Sequence, residues 1–525
     1  MDTNQKKTEN LIAALVLLAG LLGSVFYIFG RERAEFNLDY TDTLLWAAAS
    51  VESKALISPD FWYAYIIPFS GSLLMIPLVM IFGVSYLTHE LGMTVFILVL
   101  AAAVFFCVKA VGLNNGQSAV LTGLFLLLLL GSPITRMIYF GHVIHYSLAI
   151  LFTCVSILLL NHTDKTPLYY ILFVWCLLCS LNGSSALLLF LFPITGAIVL
   201  ERLLDPEKLS METIKKPLFT VCGMLSAGLL GAAVKQFYIS GSFNNAYEEN
   251  FSSFLGHERW LWKEQSFLLR FITLLTGWVS DGDPLLSLNG AFVLLRFLTA
   301  VLLLIIPVFA LISYRKYENR MMRLLVLDYW VLFGLTQLIY SVSYVQTENW
   351  RLGALLGMSV LVSVTYLFWL CKRELSCRFG YLGLLLLLLT GCINIVSVIR
   401  IPHGSLVNGY DRLTETLLEN NLTYGYSELW NGANVTTVLS DSKVKIRPVY
   451  FSDDGGYEIN PYQSEASWYE DQPDTEEYFV LVTASEREKV ADTLVKNAVR
   501  ELEFEDGQSI LVFNSNIFRD GQPVY

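Results

Sequence analysis

Two carboxylates, Asp39 and Asp42, follow closely after the first long apolar run, residues 11–29. A carboxylate beside a membrane surface is partly desolvated, and this suits a general base that takes a proton from a hydroxyl near a lipid headgroup. A second interpretation is that Asp42 or Thr41 caps a short helix and that Asp39 is a solvated loop charge. The residue types alone leave both interpretations open.

A second polar cluster lies in residues 424–440, whose sequence is YGYSELWNGANVTTVLS. The pattern predicts a strand, a Ser-capped helix and a second strand. On such a helix Trp430 adjoins Asn431 and Asn434, and the two asparagines share a face where amides can hydrogen-bond a sugar. The alternative is that Trp430 belongs to the core while the asparagines cap the helix or face water.

Arg351 stands at the start of a late apolar run, after Glu348, Asn349 and Trp350. A guanidinium there can bind a lipid phosphate through paired hydrogen bonds, or it can serve as an interfacial anchor. The sequence contains no phosphate-loop, dinucleotide-binding or zinc-site pattern, so we expect no cofactor and no resident metal.

The elements that must position these residues are membrane helices, because 54% of the 525 residues are hydrophobic and only 15% are charged. The predicted fold is mainly α, a polytopic bundle of about eleven spans with a small α/β domain at the C-terminus. Residues 67–82 are excluded from the spans because Pro68, Pro77 and small polar residues interrupt them. The predicted spans are 11–29, 91–108, 118–132, 144–160, 168–181, 184–200, 218–237, 290–313, 324–342, 351–370 and 380–400.

Three basic connections, residues 201–217, 314–323 and 371–378, set the predicted orientation because Lys and Arg favour the cytoplasmic side. The N-terminus is then cytoplasmic. The first loop (about 30–90), the long loop (about 238–289) and the tail (401–525) are extracytoplasmic. We therefore expect a transmembrane domain over 1–400 and a soluble α/β domain over 401–525, in the plasma membrane. The tail has 22 acidic and 9 basic residues, which disfavours nucleic acid as a partner.

Asp42, together with Trp46, Ala47 and Ser50, resembles the first external loop of GT-C superfamily glycosyltransferases. These include the protein O-mannosyltransferases and the lipid A aminoarabinose transferase. Residues 424–440 are similar to a segment that recurs in the external tails of bacterial members. The resemblance implies a membrane glycosyltransferase that moves a sugar from a polyprenyl-phosphate donor to a cell-envelope acceptor.

The same resemblance implies roles for particular residues. Asp42 would be the catalytic base, and Asp39 would assist it or orient the acceptor. Substrate contacts are expected at the start of the second span, where the Arg-Leu pair of those enzymes reads Glu90-Leu91 in this chain, preceded by His89. The donor, the acceptor and membrane lipids would be the partners.

A different class of function remains open beside this one. A non-enzymatic transporter of lipid or glycan, or an assembly scaffold, would use the same helical framework. Ionisable residues in mid-membrane would favour transport, and the predicted spans almost lack them, since Arg296 and Asp328 lie near span ends.

Overall fold

A computed structural model of the chain describes residues 3–63, 69–162, 166–205, 211–239, 253–345, 348–373, 376–404 and 408–525. Ile67 and Pro68 of the first loop, and residues 240–252 of the predicted long loop, lie outside the described residues.

Helices account for most of the described chain. They are α1 (Thr3–Gly30), α2 (Asp42–Ser53), α3 (Phe69–Phe82), α4 (Tyr86–Ala110), α5 (Asn115–Leu129), α6 (Pro133–Arg136), α7 (His145–Leu160), α8 (Thr166–Ser180), α9 (Ser184–Ala186), α10 (Phe192–Leu203), α11 (Met211–Val234), α12 (Trp260–Thr276), α13 (Leu288–Ile312), α14 (Arg320–Val342), α15 (Gly353–Cys371), α16 (Cys377–Arg400), α17 (Gly409–Glu419), α18 (Val435–Leu439) and α19 (Ala484–Lys489). The strands are β1 (Phe61–Trp62), β2 (Tyr424–Glu428), β3 (Lys445–Phe451), β4 (Tyr457–Ile459), β5 (Ser464–Glu465), β6 (Tyr478–Val482), β7 (Arg500–Glu503), β8 (Ser509–Phe513), β9 (Phe518–Arg519) and β10 (Gln522–Pro523).

Eight of the described helices are long and apolar enough to cross a bilayer. A further pair, Pro133–Gly141 and His145–Leu160, meets the same standard together but bends by 60°. Two predicted spans, 118–132 and 168–181, correspond to the shorter apolar helices Asn115–Leu129 and Pro167–Ser180. The chain is therefore an integral membrane protein with the predicted mainly α fold, and the count of eleven spans stays a prediction.

One compact unit comprises residues 1–29, 94–239 and 246–401. Its central helix is α15, which is buried from Gly353 through Phe368. The outer helices α1 and α16 instead expose large apolar side chains such as Leu11 and Leu382. This distribution suits a bundle whose surroundings are lipid, since no water-soluble surface needs so many exposed leucines.

A second compact unit comprises the described residues within 30–93 and 402–525. Its main sheet has the strand order β4-β3-β2-β6-β8-β7. The central strand β2 pairs in parallel with both β3 and β6, and the outer pairings are antiparallel.

Side chains alternate between two cores along the strands of this sheet, because successive strand residues point to opposite faces. On β6, Tyr478, Val480 and Val482 enter one core. Phe479 and Leu481 enter the other core, which α17 covers with Leu413 and Leu417. Both faces are therefore packed, as the predicted α/β domain requires.

The first loop and the tail fold together within this second unit. Strand β1 pairs antiparallel with β5, so that Trp62 lies opposite Ser464. Arg33 donates from Nε to a carboxylate oxygen of Asp411 at 2.9 Å, and its Nη2 bonds the other oxygen. Residues more than 370 positions apart in the sequence thus share one structural unit.

Candidate active site

Asp42 is the first residue of α2, directly after a 3₁₀ turn, Leu38–Thr41. The turn begins where the Asn37 side chain accepts the backbone N–H of Asp39 at 3.0 Å. Thr41 occupies the N-cap position of α2 but makes no side-chain capping bond. Asp42 therefore lies one position inside the helix and does not cap it, and its carboxylate is available for another role.

The Asp42 carboxylate accepts a hydrogen bond from Gln463, whose Nε2 lies 2.8 Å from Oδ1. The Oε1 atom of the same amide accepts the indole N–H of Trp46, one helical turn after Asp42. An indole N–H can only donate, so the amide oxygen must face Trp46 and the amide NH₂ must face Asp42. Trp46 thus fixes the orientation in which Gln463 donates to the charged carboxylate.

Gln463 is fully buried, and its backbone holds it in place. Its φ of 54° is in the left-handed region that non-glycine residues rarely adopt. The Gln463 N–H donates to the Trp62 carbonyl at 2.8 Å, and its own carbonyl accepts from Nδ2 of Asn434 at 3.0 Å. Backbone strain of this kind persists where surrounding contacts over-determine it, and it clusters at functional sites.

The electrostatics of Asp42 are those of a carboxylate in a poorly solvated place. Burial of the carboxyl group raises the pKa of Asp42 well above its usual range, and the nearby Asp39 adds to the rise. The hydrogen bond from Gln463 opposes it by favouring the charged form. Asp42 as a whole residue is nevertheless only partly buried. A base with a raised pKa can accept a proton from a hydroxyl that reaches it.

A second carboxylate, Glu32, forms a different pair in the same unit. Its Oε1 lies 3.0 Å from Nε2 of His89, and neither side chain has any exposed surface. The rings of Phe36 and Tyr86 pack against the imidazole. Burial, and to a lesser extent the charge of Glu35, raises the pKa of Glu32 well above its usual range.

His89 and Glu90, the substrate contacts expected from the resemblance, are both buried. In this conformation His89 presents no atom to a ligand. The substrate role of the two residues stays a prediction, and Glu32 was not anticipated from the sequence at all.

The polar cluster of the tail does not form the continuous helix that the sequence predicts. Trp430 and Asn431 lie in a 3₁₀ turn, Gly432 has a φ of 121°, and α18 begins only at Val435. Asn431 and Asn434 therefore do not share a helix face. Asn431 donates to Glu486 at 2.7 Å, whereas Asn434 is fully buried beneath Gln463.

Trp430 is 60% exposed, so the alternative interpretation that placed it in the core is wrong. A sugar contact by Trp430 or Asn431 stays a prediction. Asn434 instead supports the residue that orients Asp42.

Arg351 belongs to the other compact unit, in the 3₁₀ turn Asn349–Leu352 that precedes α15. Its Nη1 donates to the Tyr146 hydroxyl at 3.3 Å. With His145 and Tyr340 it lines a cavity of about 130 Å³. A cation at the mouth of a small cavity can bind an anionic oxygen, as the sequence predicts for a lipid phosphate.

Among the described residues, no group of three or more His, Cys, Asp or Glu side chains has the geometry of a metal site.

No protein-family description matches this sequence, and no curated protein matches it either. Solved structures do. ArnT from Cupriavidus metallidurans bound to undecaprenyl phosphate matches with a TM-score of 0.52 and 10% identity over 98% of each chain.

Two further structures match with lower TM-scores. The Archaeoglobus fulgidus oligosaccharyltransferase complex with zinc and sulfate has a TM-score of 0.48 and 13% identity, over 95% of this chain and 73% of that one. Apo ArnT from Cupriavidus metallidurans has a TM-score of 0.43 and 11% identity, over 95% and 97%. The GT-C resemblance is thus confirmed as a shared fold, on the match to the ArnT complex.

Proposed function

We propose that this protein is a membrane glycosyltransferase that moves a sugar from a polyprenyl-phosphate donor to an extracytoplasmic acceptor. The observation that carries the proposal is the Asp42 carboxylate, which is desolvated and oriented by the hydrogen bond from Gln463. The shared fold with ArnT, whose structure contains undecaprenyl phosphate, supports the donor class.

In the proposed reaction the acceptor hydroxyl is deprotonated as it attacks the anomeric carbon of the sugar. Asp42 takes the proton, and a new bond forms between the acceptor oxygen and the anomeric carbon. The bond from that carbon to the phosphate oxygen breaks, and polyprenyl phosphate leaves with the electron pair. No nucleotide is needed, because the lipid phosphate is the leaving group and takes the negative charge. No redox partner is needed, because no atom changes its oxidation state.

The residues around Asp42 have separate tasks in this scheme. Gln463 keeps one carboxylate oxygen hydrogen-bonded, so the other oxygen can face the acceptor. Asp39, whose charge raises the pKa of Asp42, strengthens it as a base. Arg351 is proposed to bind the phosphate of the donor, where a positive charge stabilises the developing anion.

The alternative of a non-enzymatic transporter rests on one residue, Asp328. It lies in the third turn of α14, fully buried, and neither carboxylate oxygen has a hydrogen-bond partner among the described residues. An ionisable group at such a depth in an apolar helix is often part of a transport pathway.

The test is a reconstituted assay in vesicles that contain a polyprenyl-phosphate-linked sugar, chosen by mass spectrometry of the lipid that co-purifies with the protein. A glycosyltransferase releases polyprenyl phosphate in step with product. Asp42→Asn should lower the rate of this release by about 10²–10⁴-fold, and the neighbouring Asp39→Asn should lower it less. A transporter would move the intact donor across the bilayer without consuming it, and Asp328→Asn would stop that movement. Movement of intact donor alone would overturn the proposal.

A further inference from the structure

A cavity of about 610 Å³ lies in the unit formed by residues 1–29, 94–239 and 246–401, away from Arg351. It is lined by the turn after α4, by the connection between α13 and α14, and by the end of α15. Asn319 joins two of these walls: its Oδ1 accepts the Met321 N–H at 2.7 Å and its Nδ2 donates to the Ala110 carbonyl at 3.1 Å. The proposed glycosyl transfer has no use for this cavity.

Three cations line the cavity, Lys316, Lys372 and Arg373, against one acid, Glu318. None of the three forms a salt bridge with a residue that the structure describes. The three side chains are exposed at the cavity, and like charges that line one cavity repel each other, so an anion bound there relieves the repulsion.

A neighbouring cavity at the same end of α14 offers a comparison. It has about 290 Å³ and is lined by Arg202, Lys216 and Arg320. There Arg320 already has a carboxylate partner, because its Nε donates to Glu201 at 3.1 Å. The difference is that Arg320 in the smaller cavity has a carboxylate partner, whereas the three cations of the larger cavity form no salt bridge with a residue that the structure describes.

Two aromatic side chains, Tyr317 and Trp369, also line the larger cavity. The Arg373 guanidinium lies 3.8 Å from the ring centre of Trp369. Trp369 in turn stacks with Tyr366 and meets Tyr317 edge to face, at 5.5 and 5.1 Å between ring centres. Trp and Tyr at the ends of apolar helices are typical of the interface between hydrocarbon and headgroups.

From this combination we propose that the cavity binds the phosphate of an anionic phospholipid in the leaflet at this end of the bundle. The cations supply charge-assisted hydrogen bonds to the phosphate oxygens, and basic pockets between membrane helices suit such headgroups. Trp369 and the apolar lining residues Val111, Leu113 and Met322 face the glycerol and the first methylenes. A soluble phosphate has no apolar group that could contact these apolar side chains.

The test uses the full-length protein in detergent, titrated with phosphatidylglycerol, phosphatidylcholine or inorganic phosphate and followed by native mass spectrometry. We expect phosphatidylglycerol to bind in preference to the other two. The double variant Lys316→Gln/Lys372→Gln should weaken the binding of phosphatidylglycerol by about tenfold to thirtyfold. This is the loss expected when two cations near an anionic headgroup are removed. Both side chains are exposed, so the fold should persist, and an unchanged thermal melting curve checks this.

The matched control is Lys215→Gln/Lys216→Gln, which removes the same charge from the start of α11 and leaves the larger cavity intact. An equal loss in the control would mean diffuse attraction to a basic surface and would overturn the site. Equal binding of phosphatidylcholine, or full displacement of phosphatidylglycerol by millimolar inorganic phosphate, would overturn the lipid as the ligand.

Discussion

Asp42 and Glu32 are two carboxylates of the same compact unit, ten residues apart, and burial raises the pKa of both. The two carboxylates differ in how far they are buried. Asp42 is a partly buried residue, whereas Glu32 has no exposed surface and faces His89. A perturbed pKa therefore does not by itself identify a reactive group, because structural pairs are perturbed in the same way.

The two carboxylates also differ in how their hydrogen bonds are completed. Asp42 accepts from an amide whose orientation Trp46 dictates, which favours the charged carboxylate. Glu32 has one oxygen, and His89 one ring nitrogen, without a hydrogen-bond partner among the described residues. Leaving buried polar atoms unpaired is costly, and more so for charged groups, so this pair is best accommodated with both side chains neutral.

The largest expected effect comes from replacing each of the two carboxyl groups in turn with the corresponding amide. Asp42→Asn keeps the shape but cannot accept a proton, so the rate of sugar transfer should fall by about 10²–10⁴-fold. Glu32→Gln should leave the rate within about threefold, because a neutral amide replaces a neutral acid. Initial rates in proteoliposomes measure both, and a larger loss for Glu32→Gln would reverse the assignment.

A smaller effect is expected at Gln463. Gln463→Met preserves length and removes both hydrogen bonds, so the rate at neutral pH should fall by roughly tenfold. The donated bond favours the charged carboxylate, and without it the pKa of Asp42 rises further. The acidic limb of the pH–rate profile should therefore move to higher pH. A lower rate with an unmoved limb would indicate that Gln463 has only a structural role.

The sequence was sufficient to predict the mainly α membrane fold, and the physical reason is that its signal is local. A bilayer requires about 20 apolar residues in succession, and few other structural constraints produce such a run. Asp42 was selected as the base because it follows the first apolar run and because its neighbours resemble a known loop, and its role stays a prediction. The two-residue strand pair β1–β5 carries no comparable pattern, so the sequence did not reveal that Gln463 meets Asp42 across 421 residues.

The prediction that Asn431 and Asn434 share a helix face was wrong for a related reason. Spacing arguments assume an unbroken helix, yet Gly432 and Asn434 both adopt positive φ values, 121° and 63°. Glycine and asparagine are the residues that tolerate this conformation best. The sequence NGAN was therefore a better signal for a break in the chain than for a helix.

A third prediction concerns stability at the buried pair. The folded-state pKa of Glu32 lies above its unfolded value, so folding favours the protonated form. That stability is present in full below the unfolded pKa and is lost as pH rises through the folded pKa. The melting temperature of the wild-type protein should fall over this range, while that of Glu32→Gln should change less, with a difference of a few degrees. Parallel curves for the two proteins would mean that Glu32 is not buried as a neutral acid.

The smallest functional effect is expected from labelling variants that leave both carboxylates untouched but test whether Asp42 can reach an external acceptor. Glu470 is exposed in the same compact unit as Asp42, and Lys215 is exposed in a connection predicted to be cytoplasmic. In intact cells a membrane-impermeant maleimide should modify Glu470→Cys above the background of the native cysteines. Lys215→Cys should react only after permeabilisation, because the basic connections favour the cytoplasmic side. Neither substitution should alter the transfer rate, since neither side chain contacts Asp42 or Gln463. The opposite labelling pattern would place Asp42 on the cytoplasmic side. The acceptor would then have to be a molecule of the cytoplasm.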